Sequence, residues 1–483
     1  MAVTVRTAIA FTVASLVAAG SGGAATQPAG HLVRLTATPK LFTPYAPAIH
    51  DYVIRCAGRP TVTVSTWSAA GTTALIQGKA RRTAKVAIAP GRALTVAARA
   101  AGGTSSYHVR CLPADFPSFQ VSGPGAPSRL YVSTPSLAIG GMDGHYVVIF
   151  DNHGVPVWWY RDAGTPIDAK LLPGHLIAYA TFNGADPAYQ VRRLDGTLVS
   201  HVRSPDGEID DHELQTTSGG NDVYLVYQPK HHVDITSLGG PADATVLEGR
   251  IEEVSPNGKL VWSWSTDGHV DPSESIAWAK PIVAAPINDA NGTPQYDVYH
   301  ANSVSISGNL VVVSMRYDNA IFGIDKKTGA VLWKLGGTPT AKSLTVTGDP
   351  HPTSPFSGQH DARILADGTV SLFDDQSFTG QPRAVQFKID TSAGSATLLR
   401  SLSDPTIDAS SCCGSARMLS DGNWLVSWGG DPTFGEYGAD GTPLLRIQFD
   451  GLFSYRAVPV ATSKLRVAAL REGMDALAGD DNG

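Results

Sequence analysis

The feature that most constrains the fold of this chain is a pair of short strand signals that alternate along it beyond Tyr131. One series starts at a turn and enters an apolar segment: HGVPVWWY at His153, DGTLVSHV at Asp195, NGKLVWSW at Asn257, TGAVLWKL at Thr328, AGSATLLR at Ala393 and DGTPLLRI at Asp440. A second series interleaves with it: GHYVVIF at Gly144, GHLIAYA at Gly174, GNDVYLVY at Gly220, GNLVVVS at Gly308, GTVSLFD at Gly368 and GNWLVSW at Gly422. No single unit of this size can bury its own apolar face, so the copies must stack on one another. Two strand signals per unit, repeated about six times, predict a β-propeller of about six blades. A β-sandwich array or a β-helix is the alternative arrangement. A long insertion separates the third unit from the fourth.

Ahead of the repeat lie short alternating strands, TVTVSTW from Thr61, AKVAIA from Ala84, LTVAARA from Leu94 and YHVRC from Tyr107, separated by turn residues. This pattern predicts a small immunoglobulin-like β-sandwich over residues 30–117. The Pro/Gly-rich run FPSFQVSGPGAPS from Phe116 marks its boundary with a propeller over 118–462, leaving a tail at 463–483. The expected class is therefore all-β, a six-bladed propeller preceded by a small sandwich. The 50 glycines and 32 prolines, without a collagen-like period, fit many tight turns between short strands.

The first 25 residues read as a secretory signal: Arg6 supplies the positive charge, AIAFTVASLVAA the apolar segment, and SGGAA a small-residue cleavage site. A membrane anchor is the alternative for that segment, and no later stretch is long and apolar enough to span a bilayer. The expected location is secreted, cell-surface or periplasmic. Export makes the cysteines candidates for disulfides. Cys56 and Cys111 close two matching Tyr-x-x-Arg-Cys segments and are expected to be bridged at the edges of the sandwich, whereas adjacent Cys412 and Cys413 could be bonded or free. The formal net charge of −6, with no long basic run, argues against nucleic acid as the main partner.

Three histidines share one position of the repeat. HELQTTSGGNDVYLV opens at His212, HANSVSISGNLVVVS at His300 and HDARILADGTVSLFD at His360, each just upstream of a member of the second series. In a propeller the first strand of each blade lines the central channel, so these imidazoles are expected to converge. The matching position in a fourth copy is Gly414, which would leave room there. Asn302 and Arg316 belong to the same fragments. Histidines alone would suit zinc or copper, but a guanidinium beside them favours an oxyanion over a cation. No metal is expected.

The run HANSVSISGNLVVVSMRYDNAIFGIDKKTGAVLWKLGG, followed by SGQHDARILADGTVSLFDD, resembles the bacterial arylsulfotransferases, and the likeness extends from about Tyr131 to Val460. The Gln-His-Asp-Ala form of the second motif is closest to the less characterised branch of that family. The resemblance implies a six-bladed propeller. It also implies a nucleotide-independent, cofactor-free enzyme that moves a sulfuryl group from an aryl sulfate to a phenol through a sulfated histidine. It makes His360 the nucleophile and has His300, Asn302 and Arg316 hold the sulfuryl oxygens, with His212 as the remaining channel histidine. Arg316 is followed by Tyr317, where the family commonly carries histidine. A non-catalytic propeller binding a sulfated or glycan ligand, and a metal-dependent hydrolase built on the same histidines, are the competing readings.

Overall fold

The computed structural model describes residues 29–480 apart from 57, 60, 139–143, 183–185 and 378–379, so the segment read as a signal lies outside the described residues. Among the described residues the chain is all-β, with eight sheets and few helices.

Two of the sheets form near the N-terminus. Leu32–Thr38, Thr61–Ser68 and Thr83–Ala87 make one; Asp51–Arg55, Gly103–Leu112, Ala93–Ala100, Thr73–Ile76 and Lys79–Ala80 make the other, in that order. Strict alternation sends Val62, Val64, Leu94 and Val96 into a shared core while their neighbours stay partly exposed. Cys56 is bonded to Cys111. The bond joins the ends of two adjacent parallel strands, in which Ile54 pairs with Cys111, and so staples one sheet internally instead of linking sandwich edges. Closing a loop of this length stabilises the folded chain by about 4 kcal/mol, through the unfolded state.

The other six sheets carry the repeat. In five of them the second series forms the second strand, counting from the inside, and in all six the first series forms the fourth. The exception is the first sheet, where GHYVVIF is third because the chain's own C-terminal strand, Phe453–Ala461, enters inside Arg129–Leu137. The innermost strands are Pro166–Leu172, Glu208–Thr216, Ala301–Ser307, His360–Ile364, Ser415–Met418 and Phe453–Ala461. Each touches the next in this order, and the last touches the first, so the six close into a ring around a channel. Phe119–Ser122 adds to the outer edge of the last sheet beside Pro443–Phe449, so both ends of the segment are tied into the ring. Pairing these edges also removes exposed ladder groups that would otherwise template aggregation.

The stretch after Arg466, read as a tail, is a helix over Val467–Asp480. Its Leu470 and Met474 are buried, and Met474 Sδ accepts the Trp159 amide at 3.2 Å. Arg471 pairs with Asp51 at 2.5 Å and Asp475 with Arg110 at 2.8 Å, so this helix clamps the N-terminal sheets to the ring.

Candidate active site

Five of the inner strands shift register near their start, between Ile167 and Lys170, Ile209 and Leu214, Ala301 and Ser303, His360 and Arg363, and Ser454 and Ala457. Such bulges turn side chains away from the alternating pattern and into the channel. Asp168, His300 and Asp361 adopt positive φ angles of 47°, 51° and 56° at these places. For residues other than glycine this is a strained conformation that the surrounding contacts must hold.

The bulges bring all three histidines together. The rings of His212 and His300 lie 4.9 Å apart, and Tyr455 sits between the others, 5.6 Å from His212 and 6.2 Å from His360. Each histidine has its Nδ1 engaged: His360 with the Gly358 carbonyl at 2.8 Å, His300 with Asp297 at 2.5 Å, and His212 with Asp210. A carbonyl oxygen can only accept, so Nδ1 of His360 carries the proton and Nε2 keeps its lone pair. Gly358 must be glycine to offer that carbonyl. Its φ is 64°, and a Cβ there would fall 2.2 Å from Ser377 Oγ.

The electrostatics split the histidines by role. Burial, then the nearby charges of Arg316, His300 and His212, hold His360 well below the ordinary imidazole range, so it is neutral at pH 7. Burial acts in the same direction on His212, but Asp210, Asp211 and Asp297 outweigh it and raise this group to about 9. His212 is therefore an imidazolium at neutral pH. Among the described residues, ligand atoms of Asp210, Asp211 and His212 lie within 4.8 Å of one another. With His212 protonated and bonded to Asp210, this grouping is an ion pair.

Arg316 reaches the same place from the strand after His300. Its Nη2 donates to the Ser411 carbonyl at 3.2 Å and to Ser377 Oγ at 3.4 Å, and it lies 3.9 Å from Asp375. Trp278 stacks on its guanidinium at 4.1 Å, while Tyr317 packs against His300 at 4.8 Å. Two buried donors here, Arg316 Nε and the Tyr455 hydroxyl, have no protein acceptor. Buried donors without partners cost free energy unless a ligand takes them up, so these two are candidate ligand contacts.

The arylsulfotransferase (ASST) family model matches residues 183–450, more than half of the chain. The chain belongs to the arylsulfotransferase family. This family membership supports a sulfotransferase acting on small molecules. No curated protein matches the chain. Among solved structures it is similar to a protein of unknown function from Bacteroides caccae, 13% identical, covering 69% of this chain and 99% of that one with a TM-score of 0.41. It is also similar to a putative 6-phosphogluconolactonase from Bacteroides uniformis, 11% identical, covering 70% and 100% with a TM-score of 0.41. Among the described residues, no helix is long and apolar enough to cross a membrane.

His360, His300, His212 and Arg316 thus meet at one end of the channel. Asn302 is fully buried behind them, where its Nδ2 donates to the Gln359 carbonyl at 2.7 Å and so fixes the strand that starts at His360. Gln359 is itself anchored through Nε2 to Ser314, Met315 and Ala320. Gly414 does not leave room: a Cβ there would lie 2.4 Å from the Phe373 ring, and its amide donates to the Tyr455 carbonyl. Cys412 and Cys413 are bonded to each other beside this turn.

Sequence reasoning passed over four residues of the site. Asp210 and Asp297 were visible as acids two and three positions before a histidine. Trp278 comes from the long insertion, and Tyr455 from the C-terminal strand outside the repeat, so neither carried a register signal.

The raised His212 group predicts a pH effect. With phenyl sulfate, whose phenolate needs a proton on departure, kcat/KM should hold from neutrality to about pH 9 and fall above it. Asp210→Asn removes the charge that holds the proton and should move that alkaline limb down. An unchanged limb in a pH–rate profile would exclude His212 as the acid.

Proposed function

We propose that this protein is a nucleotide-independent arylsulfotransferase, working through a sulfohistidine on His360 in the channel of a six-bladed propeller. The observation that carries the reading is the neutral His360, with a free Nε2, set among cationic and unpaired donors. Sulfuryl transfer resembles phosphoryl transfer, with a loose in-line transition state and charge on the outer oxygens, so positioning and cationic donors do most of the work.

In the first half-reaction the His360 Nε2 lone pair forms the N–S bond as the aryl O–S bond breaks. The His212 imidazolium passes its proton to the departing phenolate. Arg316, His300 and the Tyr455 hydroxyl are arranged to hold the sulfuryl oxygens, with Asn302 acting through the Gln359 carbonyl. In the second half-reaction a phenol attacks sulfur, the N–S bond breaks, and the phenolic proton returns to His212.

The closed ring of inner strands supports the six-bladed propeller, and the two N-terminal sheets with a common core support an immunoglobulin-like sandwich before it. The same observations support a division at 30–117 and 118–462. The two bonded cysteine pairs support export to an oxidising compartment.

The test is direct. Purified protein incubated with 4-nitrophenyl sulfate and a phenol, without nucleotide, should release nitrophenol and sulfate the acceptor, with or without chelator. No release would exclude the reading, and loss on chelation with rescue by zinc would favour a metal enzyme. Arg316→Gln should lower the rate by about 10²–10³-fold while the protein adduct stays detectable, since it removes a charge-stabilising donor and leaves the nucleophile.

A further inference from the structure

The histidines occupy one end of the channel, and the other end is a different chemical environment. A cavity of about 850 Å³ opens there, bordered by Lys170, Arg363, Arg417, Lys464 and the carboxylate of Glu213. Such a volume suits a small organic molecule. None of His212, His300, Arg316 and His360 borders it.

Between the two ends lies a buried ionic layer to which all six inner strands contribute. Arg456 donates to Asp168 at 2.9 Å, to Glu213 at 3.2 Å and to the Asn302 carbonyl at 2.6 Å. Asp361 takes Arg363 at 2.5 Å and both Nε and Nη2 of Arg417, at 2.6 and 2.7 Å. Lys170 pairs with Asp168 at 2.6 Å and with Glu213 at 3.2 Å. Lys170, Arg363, Arg417 and Arg456 of the layer, with the exposed Lys464 at the cavity, are five cations; Asp168, Glu213 and Asp361 are three carboxylates. The difference is two positive charges, concentrated in a recess of a protein whose net charge is −6. Field lines focus in such a recess and draw anions to it.

Two further observations define the guest. Arg417 spends Nε and Nη2 on Asp361, which leaves Nη1 for a ligand at the cavity wall. Burial and then the neighbouring Arg363 push the Arg417 guanidinium below its ordinary range. Beside the polar His175, Gln215, Thr216 and Ser305, the wall carries an apolar group, Leu171, Leu172, Ile364, Met418 and Val458. A bare inorganic ion would leave that surface unused.

We propose that this end of the channel is a separate binding site for an organic anion, a sulfonate, sulfate ester or carboxylate head on an apolar body. Arg417 and Lys464 hold the head, and the aliphatic wall holds the body. The site stands apart from the sulfuryl-transfer centre and does not depend on its chemistry.

Isothermal titration of the full chain with naphthalene-2-sulfonate tests it, with naphthalene-2-sulfonamide and inorganic sulfate as the uncharged and body-less controls. Saturable one-to-one binding is expected, at least about tenfold weaker with either control. Arg417→Gln and, separately, Lys464→Gln should each weaken binding several-fold, whereas His360→Ala should leave it unchanged. Lys464 is exposed and outside the ionic layer, so its variant keeps the test valid should Arg417→Gln fold poorly. Binding that ignores Lys464→Gln, or is lost in His360→Ala, would overturn the proposal; the second result would place the sulfonate at the histidines.

Discussion

Replacing His360 with asparagine should abolish sulfuryl transfer, a fall on the order of 10⁴-fold or more, to the background rate. The side chain is fully buried, its Nδ1 is held by the Gly358 carbonyl, and its Nε2 is the lone pair available to attack sulfur. Asparagine fills part of the space and can keep a donor on Gly358, but its amide nitrogen has no lone pair to offer. The wild-type protein given 4-nitrophenyl sulfate without acceptor should gain one sulfuryl group, stable in alkali and labile in acid, on the peptide that contains His360. Intact-mass measurement should find no such adduct in His360→Asn. The readout separates this residue from Arg316, whose loss slows transfer and leaves the adduct visible. A non-catalytic binding propeller predicts no adduct in any version. Should His360→Ala transfer sulfuryl groups at the wild-type rate, the mechanism falls even if the fold is right.

The second large effect is on stability. Asp361→Asn should destabilise the ring by about 3–5 kcal/mol, because it leaves buried guanidinium groups without their counter-charge. Asp361 accepts from Arg363 and Arg417 and lies 3.5 Å from Arg456, all inside the ionic layer. Asparagine tolerates the φ of 56° found here, so the change removes charge without adding backbone strain. Burial alone would raise the Asp361 carboxyl, but Arg363, Arg417 and Arg456 outweigh it and hold it well below the usual carboxylate range. The sign follows from that depression. The stabilisation is fully present above the unfolded pKa near about 4 and is lost as pH falls through the lower folded value. Urea midpoints measured from pH 7 down to pH 2 should therefore differ by a constant amount between wild type and Asp361→Asn above about pH 4 and draw together below it. A difference that stays constant down to pH 2 would mean the charge is not the cause.

Much of the ring was legible because strand signals are local. Turn glycines followed by Val, Ile and aromatic runs mark strands whatever lies around them, and both series became strands of the expected sheets. The first sheet departed because its innermost strand comes from the far end of the chain, and no local signal tells Phe453–Ala461 which sheet it will enter. The shared register of His212, His300 and His360 was equally local, since equal distance from a turn means equal depth along an inner strand. The C-terminal helix was missed for the opposite reason. Its buried face exists only against Trp159, Leu194 and the N-terminal sheets.

By itself the sequence determined the class of fold, the family, the three histidines and the arginine beside them, because each rests on residue type and spacing along one strand. The tertiary structure alone decided which imidazole is neutral and which is charged. That depends on Gly358 facing His360 while Asp210 faces His212, and on arginines from other strands lying near. It alone set Asn302 behind the Gln359 carbonyl, and brought Trp278 and Tyr455 to the site from an insertion and a distant strand. Charge, burial and hydrogen-bond partners are properties of neighbours in space, and closing the ring makes neighbours of residues that the chain keeps far apart.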